Sequence, residues 1–169
     1  IKDKITAVPT MFIWKMHNVG EVDMYGADFT AATIWKTSRW LKIHASANYS
    51  LQYALDVTDP QSKSYRHQIP YTPRHCGNCN LIFETKWFNL SYRMTACGKR
   101  YDKNQNIASN EIPAYADHNI SLNRNFCFGR SRSYNIYLSL EALNLTDCNY
   151  EVIHYYPMPG RSYRLTIKF

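Results

Sequence analysis

The sequence predicts an all-β fold: antiparallel up-and-down strands of the kind that close into a transmembrane β-barrel. Three observations predict it. The chain ends in a strand with one apolar and one polar face, closed by an aromatic residue. An apolar–polar alternation runs nearly unbroken over 41–57. The connections between predicted strands alternate between short and long.

The final strand reads Arg161, Ser162, Tyr163, Arg164, Leu165, Thr166, Ile167, Lys168, Phe169. Side chains alternate with period two along an extended chain, so Tyr163, Leu165, Ile167 and Phe169 share one side and Arg164, Thr166 and Lys168 the other. A barrel strand turns such an apolar face to lipid and its polar face to a wet lumen.

The other strands follow in chain order. A segment before Gly20 reads as the end of an earlier strand and a loop. Tyr25, Ala27, Phe29 and Ala31 then oppose Met24, Asp28 and Thr30. Over 41–57, Leu41, Ile43, Ala45, Ala47, Tyr49, Leu51, Tyr53, Leu55 and Val57 share a face; Lys42, His44, Ser46, Asn48, Ser50, Gln52, Ala54 and Asp56 share the other. That stretch is far longer than the roughly 5–6 residues of an ordinary globular strand. Nine to eleven tilted residues suffice to cross an apolar band about 25 Å tall. Leu81, Phe83, Thr85 and Trp87 oppose Asn80, Glu84 and Lys86, with Ile82 as an exception. Phe88, Leu90, Tyr92, Met94 and Ala96 oppose Asn89, Ser91, Arg93 and Thr95. Ala116, His118, Ile120 and Leu122 oppose Asp117, Asn119, Ser121 and Asn123; Ile136, Leu138, Leu140 and Ala142 oppose Asn135, Tyr137, Ser139 and Glu141. Helical spacing competes nowhere over a comparable length. The count is seven full strands, eight with the segment before Gly20.

Short connections fall at 36–40, 86–89 and 127–133, long ones at 58–75, 101–113 and 146–160. If Phe169 lies at the short-turn end, every short connection falls on that side, as short periplasmic turns and long extracellular loops do in outer-membrane barrels. Trp35, Trp40, Trp87, Phe88, Tyr101, Tyr134 and Phe169 cluster near strand ends, where aromatic belts mark the two membrane interfaces.

Composition bounds the function. The 169 residues suit one domain or part of a larger one. The chain has no run of eighteen apolar residues and so no transmembrane helix, and its mean hydropathy is −0.47. Barrel strands, apolar only at alternate positions, average out as hydrophilic in the same way. The net charge of +7 comes from basic residues scattered singly, with no cluster or motif for nucleic acid; acidic lipopolysaccharide suits them equally well. The chain begins at Ile1 and reads as a piece of something longer or a mature product.

No catalytic centre emerges. The six histidines show no catalytic spacing, and neither a cofactor nor a metal is expected. The Cys76-Gly77-Asn78-Cys79 spacing matches a redox motif, but a strand rather than a helix follows it. Zinc would need two more ligands, for which His67 and His75 are candidates without a second cysteine pair. A local Cys76–Cys79 disulfide or free thiols is the simpler reading. The odd count of five cysteines leaves at least one unpaired. Arg93, Glu84, Lys86 and Glu141 read as a solvated lumen wall. Tyr65, Arg66, His67, Tyr155 and Tyr156 sit in long loops, where a receptor contacts its ligand. Asn-x-Ser/Thr triplets at Asn48, Asn89, Asn119 and Asn144 fall in or at the end of strands and read as chance matches.

Several segments resemble one family. They are His17-Asn18-Val19-Gly20-Glu21-Val22 with Tyr25-Gly26-Ala27-Asp28; Ala47-Asn48-Tyr49-Ser50; Gln68-Ile69-Pro70-Tyr71-Thr72-Pro73-Arg74-His75; and Gly98-Lys99-Arg100-Tyr101. Leu143-Asn144-Leu145-Thr146-Asp147 with Tyr150-Glu151, and Pro157-Met158-Pro159-Gly160-Arg161-Ser162-Tyr163, complete the set in the same order. Together they resemble the C-terminal barrel portion of a TonB-dependent outer-membrane receptor of the cobalamin or siderophore type. Asp28 stands where the family usually has Glu, and the cysteines are uncommon there. The resemblance covers 1–169 and implies a non-enzymatic importer in a Gram-negative outer membrane, driven by the TonB system, for an iron–siderophore, haem or cobalamin. It implies a 22-stranded barrel whose remainder, with the plug and the TonB-contacting segment, is not in this chain. The implied partners are outer-membrane lipid and lipopolysaccharide, the rest of the barrel and plug, TonB, and the barrel-assembly machinery, which reads Tyr163, Leu165, Ile167 and Phe169 as an assembly signal. The isolated strands carry open edges that invite an edge-to-edge dimer. The rival readings are a stand-alone small barrel with a structural or adhesion role, and a soluble β-rich enzyme, which would need a convergent polar pocket.

The two faces of the last strand predict unequal mutational effects. Leu165→Lys places a charge against lipid, at about 2–4 kcal/mol near the midplane, and is expected to lower the amount of assembled protein in the outer membrane. Thr166→Lys is expected to be tolerated, and Phe169→Ala to lower assembly. Equal damage from Leu165→Lys and Thr166→Lys, read by quantitative immunoblotting of membranes, would mean that neither face meets lipid.

Overall fold

A computed structural model describes residues 5–9, 14–18, 20–128 and 134–169. The chain forms β1 (Ile5–Pro9), β2 (Trp14–Asn18), β3 (Val22–Ser38), β4 (Leu41–Asp56), β5 (His75–Thr85), β6 (Asn89–Cys97), β7 (Arg100–Tyr101), β8 (Glu111–Ile112), β9 (Tyr115–Phe128), β10 (Tyr134–Leu143), β11 (Glu151–Ile153), β12 (Tyr156–Pro157) and β13 (Ser162–Lys168). Its one helical element among the described residues is a three-residue 3-10 turn, Ala108–Asn110.

Seven strands form a single antiparallel sheet in the order β3-β4-β5-β6-β9-β10-β13, each paired with the strand of this sheet that precedes it in the chain. This is the predicted meander. β3 and β4 pair along almost their whole length, from Val22↔Asp56 to Ser38↔Leu41, and turn over Arg39 and Trp40. The extended backbone follows from sequence: the predicted apolar positions of β4 are aliphatic or aromatic and alternate with hydroxyl, amide and charged residues, a pattern that suits a pleated surface with two different environments.

The registers carry both faces across the sheet. One apolar row runs Trp35–Ile43–Phe83–Leu90–Leu122–Leu140–Leu165, and a polar row beside it runs Lys42–Glu84–Asn89–Asn123–Ser139–Thr166. Leu90 and Arg93 fall on opposite faces, as predicted. Arg124 departs from the pattern: it lies opposite Leu138 on the apolar face, near the short-turn end, with its guanidinium 4.5 Å over the Phe126 ring. A long basic side chain placed there reaches the polar boundary while its stem covers apolar surface. His75 and His118 also share the apolar face, and each accepts or donates a hydrogen bond at 2.7 Å with a tyrosine hydroxyl, Tyr49 and Tyr92 respectively.

Burial is inverted relative to a water-soluble sheet. Phe29, Leu140, Leu165 and Ile167 on the apolar face are exposed, whereas Ser139 on the polar face is 2% exposed. Polar groups on that face satisfy one another. Asn123 Oδ1 accepts from Ser139 Oγ at 2.6 Å and from Tyr137 at 3.2 Å; Ser91 and Ser121 pair at 2.9 Å. Glu84 takes Lys42 at 3.1 Å and His44 at 3.2 Å, and Glu141 accepts from Arg164 Nε at 2.7 Å. The buried apolar cluster is small, Val22, Ala54 and Ile69, where the 57–74 loop folds against the end of β3 and β4.

Trp35, Trp40, Trp87, Phe88, Phe128 and Phe169 are exposed at the short-turn end, with Trp40 and Trp87 5.9 Å apart. Two expectations change. Tyr101 lies in β7, in a small separate sheet on the long-loop side, so it joins no belt on the main sheet. The segment before Gly20 is a hairpin, β1 with β2 from Ile5↔Asn18 to Pro9↔Trp14, outside the seven-stranded sheet. The Tyr134 side chain and residues 129–133 of the third short connection lie outside the described residues.

Gly26 gives a local test. A Cβ there would stand 2.2 Å from the Leu51 carbonyl oxygen, so β3 and β4 approach too closely for any side chain. Gly26→Val is expected to separate β3 from β4 locally and to cost about 1–3 kcal/mol, as overpacking does. A chemical-denaturation midpoint in detergent unchanged from the parent would contradict this register.

Candidate functional site

The long connections gather at one end of the sheet and are ordered by hydrogen bonds. Loop A (57–74) runs beside the end of β4: Asp56 N donates to His67 O at 2.9 Å, Arg66 N to Asp56 O at 2.7 Å and Ile69 N to Ala54 O at 2.9 Å. The Asp56 carboxylate accepts from Thr58 and Ser64 and holds the start of the loop. Loop B (98–114) contains β7 and β8, and its Asp102 N donates to Asn110 O at 2.9 Å. Loop C (144–161) contains β11 and β12. The sequence predicts these segments as long connections without strands. Two-residue pairings carry almost no periodic signal, so β7, β8 and β12 were not legible.

Loop B holds the other two. Tyr71 N in loop A donates to Tyr101 O at 2.8 Å, and Asn106 N donates to His67 Nδ1 at 3.2 Å. Toward loop C, the Arg100 side chain is buried and donates from Nη2 to the carbonyls of Glu151 and Val152, the latter at 2.9 Å. It also lies 5.5 Å over the Tyr115 ring. His154 Nδ1 meets Asp102 Oδ2 at 2.9 Å, with both side chains largely buried. The other Asp102 oxygen is buried and has no hydrogen-bond partner among the described residues. Burial, and then the Asp102 charge, push the Tyr71 hydroxyl above the usual tyrosine range. Burial also raises Tyr150, which stacks 4.2 Å from Tyr115.

Loop C is closed on itself by the two motifs that flank it. Asn144 is buried at φ 48°, and its side chain donates to the carbonyls of Cys148 at 2.9 Å and Pro159 at 3.1 Å while accepting from Cys148 N at 2.9 Å. Asp147 Oδ1 accepts from Arg161 N at 2.8 Å. The Asn-Leu-Thr-Asp and Pro-Gly-Arg segments are thus the two sides of one loop closure.

The predicted contact residues divide into two groups. Tyr65, Arg66 and His67 lie in loop A, where Arg66 has φ 60° and His67 bonds loop B. Tyr155 and Tyr156 lie in loop C and are exposed; Tyr155 has φ 69° and stacks 3.9 Å from His154. No hydrogen bond or ring contact joins the two groups directly among the described residues. Each lies in a loop tied to loop B, whose signals in the sequence are its length over 101–113 and the Gly98-Lys99-Arg100-Tyr101 segment; none of its residues stands among the predicted contacts. Left-handed backbone at Arg66, Tyr71 and Tyr155 costs of order 1–3 kcal/mol each, and such strain gathers at functional loops.

Cys76 and Cys79 do not pair. Three residues apart on β5, they face opposite sides: Cys76 lies across from Cys97 and Cys79 from Met94. The CxxC spacing requires a turn or helix to bring its sulfurs together, and a strand carries them apart. Below the loops, the polar face forms a pocket of about 450 Å³ lined by Arg93, Asp117, Asn119, Glu141 and Arg164 among others. Asp117 keeps one buried oxygen there with no hydrogen-bond partner among the described residues. The strand asparagines of the three earlier Asn-x-Ser/Thr triplets lie in β4, β6 and β9, and Asn144 is buried.

Asn144→Leu removes three hydrogen bonds and leaves buried backbone groups unpaired, a loss of about 2–4 kcal/mol confined to loop C. Limited proteolysis is expected to cut within 144–161 while the seven-stranded sheet keeps its circular dichroism; resistance equal to the parent would contradict the closure.

Residues 1–145 match the family described as TonB dependent receptor-like, beta-barrel. No curated protein matches the chain. Among solved structures, the FrpB iron transporter from Neisseria meningitidis (F3-3 variant) is similar at a TM-score of 0.57 and 14% identity, over 98% of this chain and 27% of that one. The chain therefore spans about a quarter of that transporter's length, and the likeness shows the fold. The family match, over most of the length and on a sheet of matching architecture, places the chain in the TonB-dependent receptor β-barrel family, a family of transport receptors rather than enzymes.

Proposed function

We propose that the chain is the C-terminal part of the barrel of an outer-membrane receptor that imports a scarce ligand, an iron–siderophore, haem or cobalamin, with energy delivered by TonB. The inverted sheet carries this reading. A row such as Trp35–Ile43–Phe83–Leu90–Leu122–Leu140–Leu165 is large and apolar, with Trp35, Leu122, Leu140 and Leu165 exposed, while the opposite face carries hydroxyls, amides and paired charges and buries Ser139. In water that arrangement wastes apolar area; across a bilayer it places each face in its own solvent.

The open edges support a part over a stand-alone barrel. β3 and β13 are the two ends of the seven-stranded sheet and do not pair with each other among the described residues. A spanning sheet needs closure, because an edge in hydrocarbon leaves backbone groups unsatisfied. The rest of the barrel, with a plug against the polar face, supplies the missing neighbours in this reading. Loops A, B and C then face outside, where Tyr65, Arg66, His67, Tyr155 and Tyr156 contact the ligand. The iron cargo of the FrpB transporter favours an iron complex among the three ligand classes.

The test expresses the full reading frame that contains this chain in a strain lacking its own receptors and measures uptake of a ferric siderophore, haemin and cyanocobalamin. Uptake of one of them, abolished by removing TonB, is expected. Tyr155→Ala with Tyr156→Ala should weaken binding of that ligand by about 10–100-fold at unchanged receptor abundance. A frame without a plug upstream, or no uptake of any of the three, would overturn the reading.

A further inference from the structure

We propose that Cys76 and Cys97 are a disulfide site, a bridge that ties β5 to β6 at the root of loop B. The two residues are direct partners in the β5–β6 ladder, with their sulfurs 4.0 Å apart, and both are thiols in this structure. The adjacent pair is hydrogen-bonded, Gly98 N donating to His75 O at 2.7 Å. Antiparallel ladders alternate, so Cys76 and Cys97 form a non-hydrogen-bonded pair, where opposed Cα atoms approach to about 4.5 Å. That separation lies inside the roughly 4.4–6.8 Å that a disulfide spans, so side-chain rotation closes the gap without a backbone shift.

The pairing is selective. Cys79 points to the other face, opposite Met94 and Ala47. Cys127 lies opposite Asn135, toward the short-turn end, and Cys148 is held in loop C by Asn144. None of these three has another cysteine as a ladder partner.

The chemistry is thiol–disulfide exchange with a donor disulfide. One cysteine, as thiolate, attacks a donor sulfur; the donor S–S bond breaks and a mixed disulfide forms. The second cysteine, as thiolate, attacks the mixed disulfide; the Cys76–Cys97 bond forms and the donor's remaining sulfur leaves as a thiol, so that the donor ends fully reduced. The two cysteines give up two electrons and two protons, and the donor takes up both. The bridge acts on the loops through Arg100, whose Nη1 stands 3.7 Å from Cys97 Sγ while its Nη2 holds loop C. Closing it fixes the strand end from which loop B springs, and with it the anchor of loops A and C. This inference rests on the strand register and not on the identity of the ligand.

The test equilibrates the full chain, folded in detergent, with oxidised glutathione and counts thiols with a maleimide reagent. Of the five cysteines, two are expected to be lost to one bridge and the other three to end as thiols or glutathione adducts, which mass spectrometry separates from the bridge, with all five thiols restored by reduction. Peptide mapping is expected to join the segments holding Cys76 and Cys97. In Cys97→Ser, Cys76 is expected to stop as a glutathione adduct, and in urea the pairing should lose its selectivity. Reduction of the bridged chain is expected to speed proteolysis within 98–114. Five reactive thiols in the folded chain, separate glutathione adducts on both Cys76 and Cys97, or a bridge to any other cysteine would overturn the proposal.

Discussion

The seven-strand ladder register is the constraint on which everything else here depends. Each strand presents opposite side chains to opposite faces, so a slip of one residue would turn an entire strand inside out. Holding Leu41 across from Thr85, Leu90 across from Leu122 and Leu140 across from Leu165 keeps large apolar side chains on one face of all seven strands. The same register brings Ser139 to Asn123 and Arg164 to Glu141 on the other. The polar face is therefore more than merely hydrophilic. Many of its groups satisfy one another, Asp117 Oδ1 excepted, which lets Ser139 be covered with its hydroxyl bonded. The apolar face has no such network and needs none in a lipid surrounding; its two histidines are each held by a tyrosine hydroxyl.

The loops inherit their order from the same ladder. Loop A continues the β4–β5 pairing past the end of β5, from Gln52 N on Arg74 O to Ile69 N on Ala54 O. Loop C begins by extending the β10–β9 pairing, with Leu145 N donating to His118 O, and the Asn144 side chain folds it back onto Cys148 and Pro159. Loop B stands between them and holds both: a backbone bond to loop A at Tyr71, and the Arg100 and Asp102 side chains to loop C. Arg100 suits the task because one planar guanidinium reaches two carbonyls, a cysteine sulfur and the Tyr115 ring at once. The bulky residues with left-handed backbone, Tyr71 and Tyr155, sit where these ties meet. In the receptor reading, exposed Tyr155 and Tyr156 are thereby presented on a supported loop.

Much of the fold was legible because period two is a local signal. The faces of β4, β6 and β10 could be read residue by residue, and the short connections followed from where the alternation stopped. What depends on contacts distant in sequence was not legible. The Cys76–Cys79 spacing suggested a local pair, but the partner of Cys76 is Cys97, across a hairpin whose register only the structure fixes. The ties of Arg100 and Asp102 carry no local signal, because their partners at Glu151, Val152 and His154 lie some fifty positions away. The β1–β2 hairpin was missed because its strands are five residues each, too short for alternation to stand out. Asn144 and Asp147 were seen as a motif before their role was known; the structure shows that the motif closes a loop.

The most direct test of the account is a nitroxide scan along β4 in the membrane-inserted protein, one label at a time over Leu41–Asp56. Collision with oxygen, which concentrates in lipid, and with a water-soluble nickel chelate should alternate out of phase with period two. Positions such as Ile43, Ala45 and Ala47 should favour oxygen, and Lys42, His44 and Ser46 the chelate. Accessibility that varies in phase for both probes, or a scan with no period of two, would contradict a sheet that stands between lipid and a polar interior.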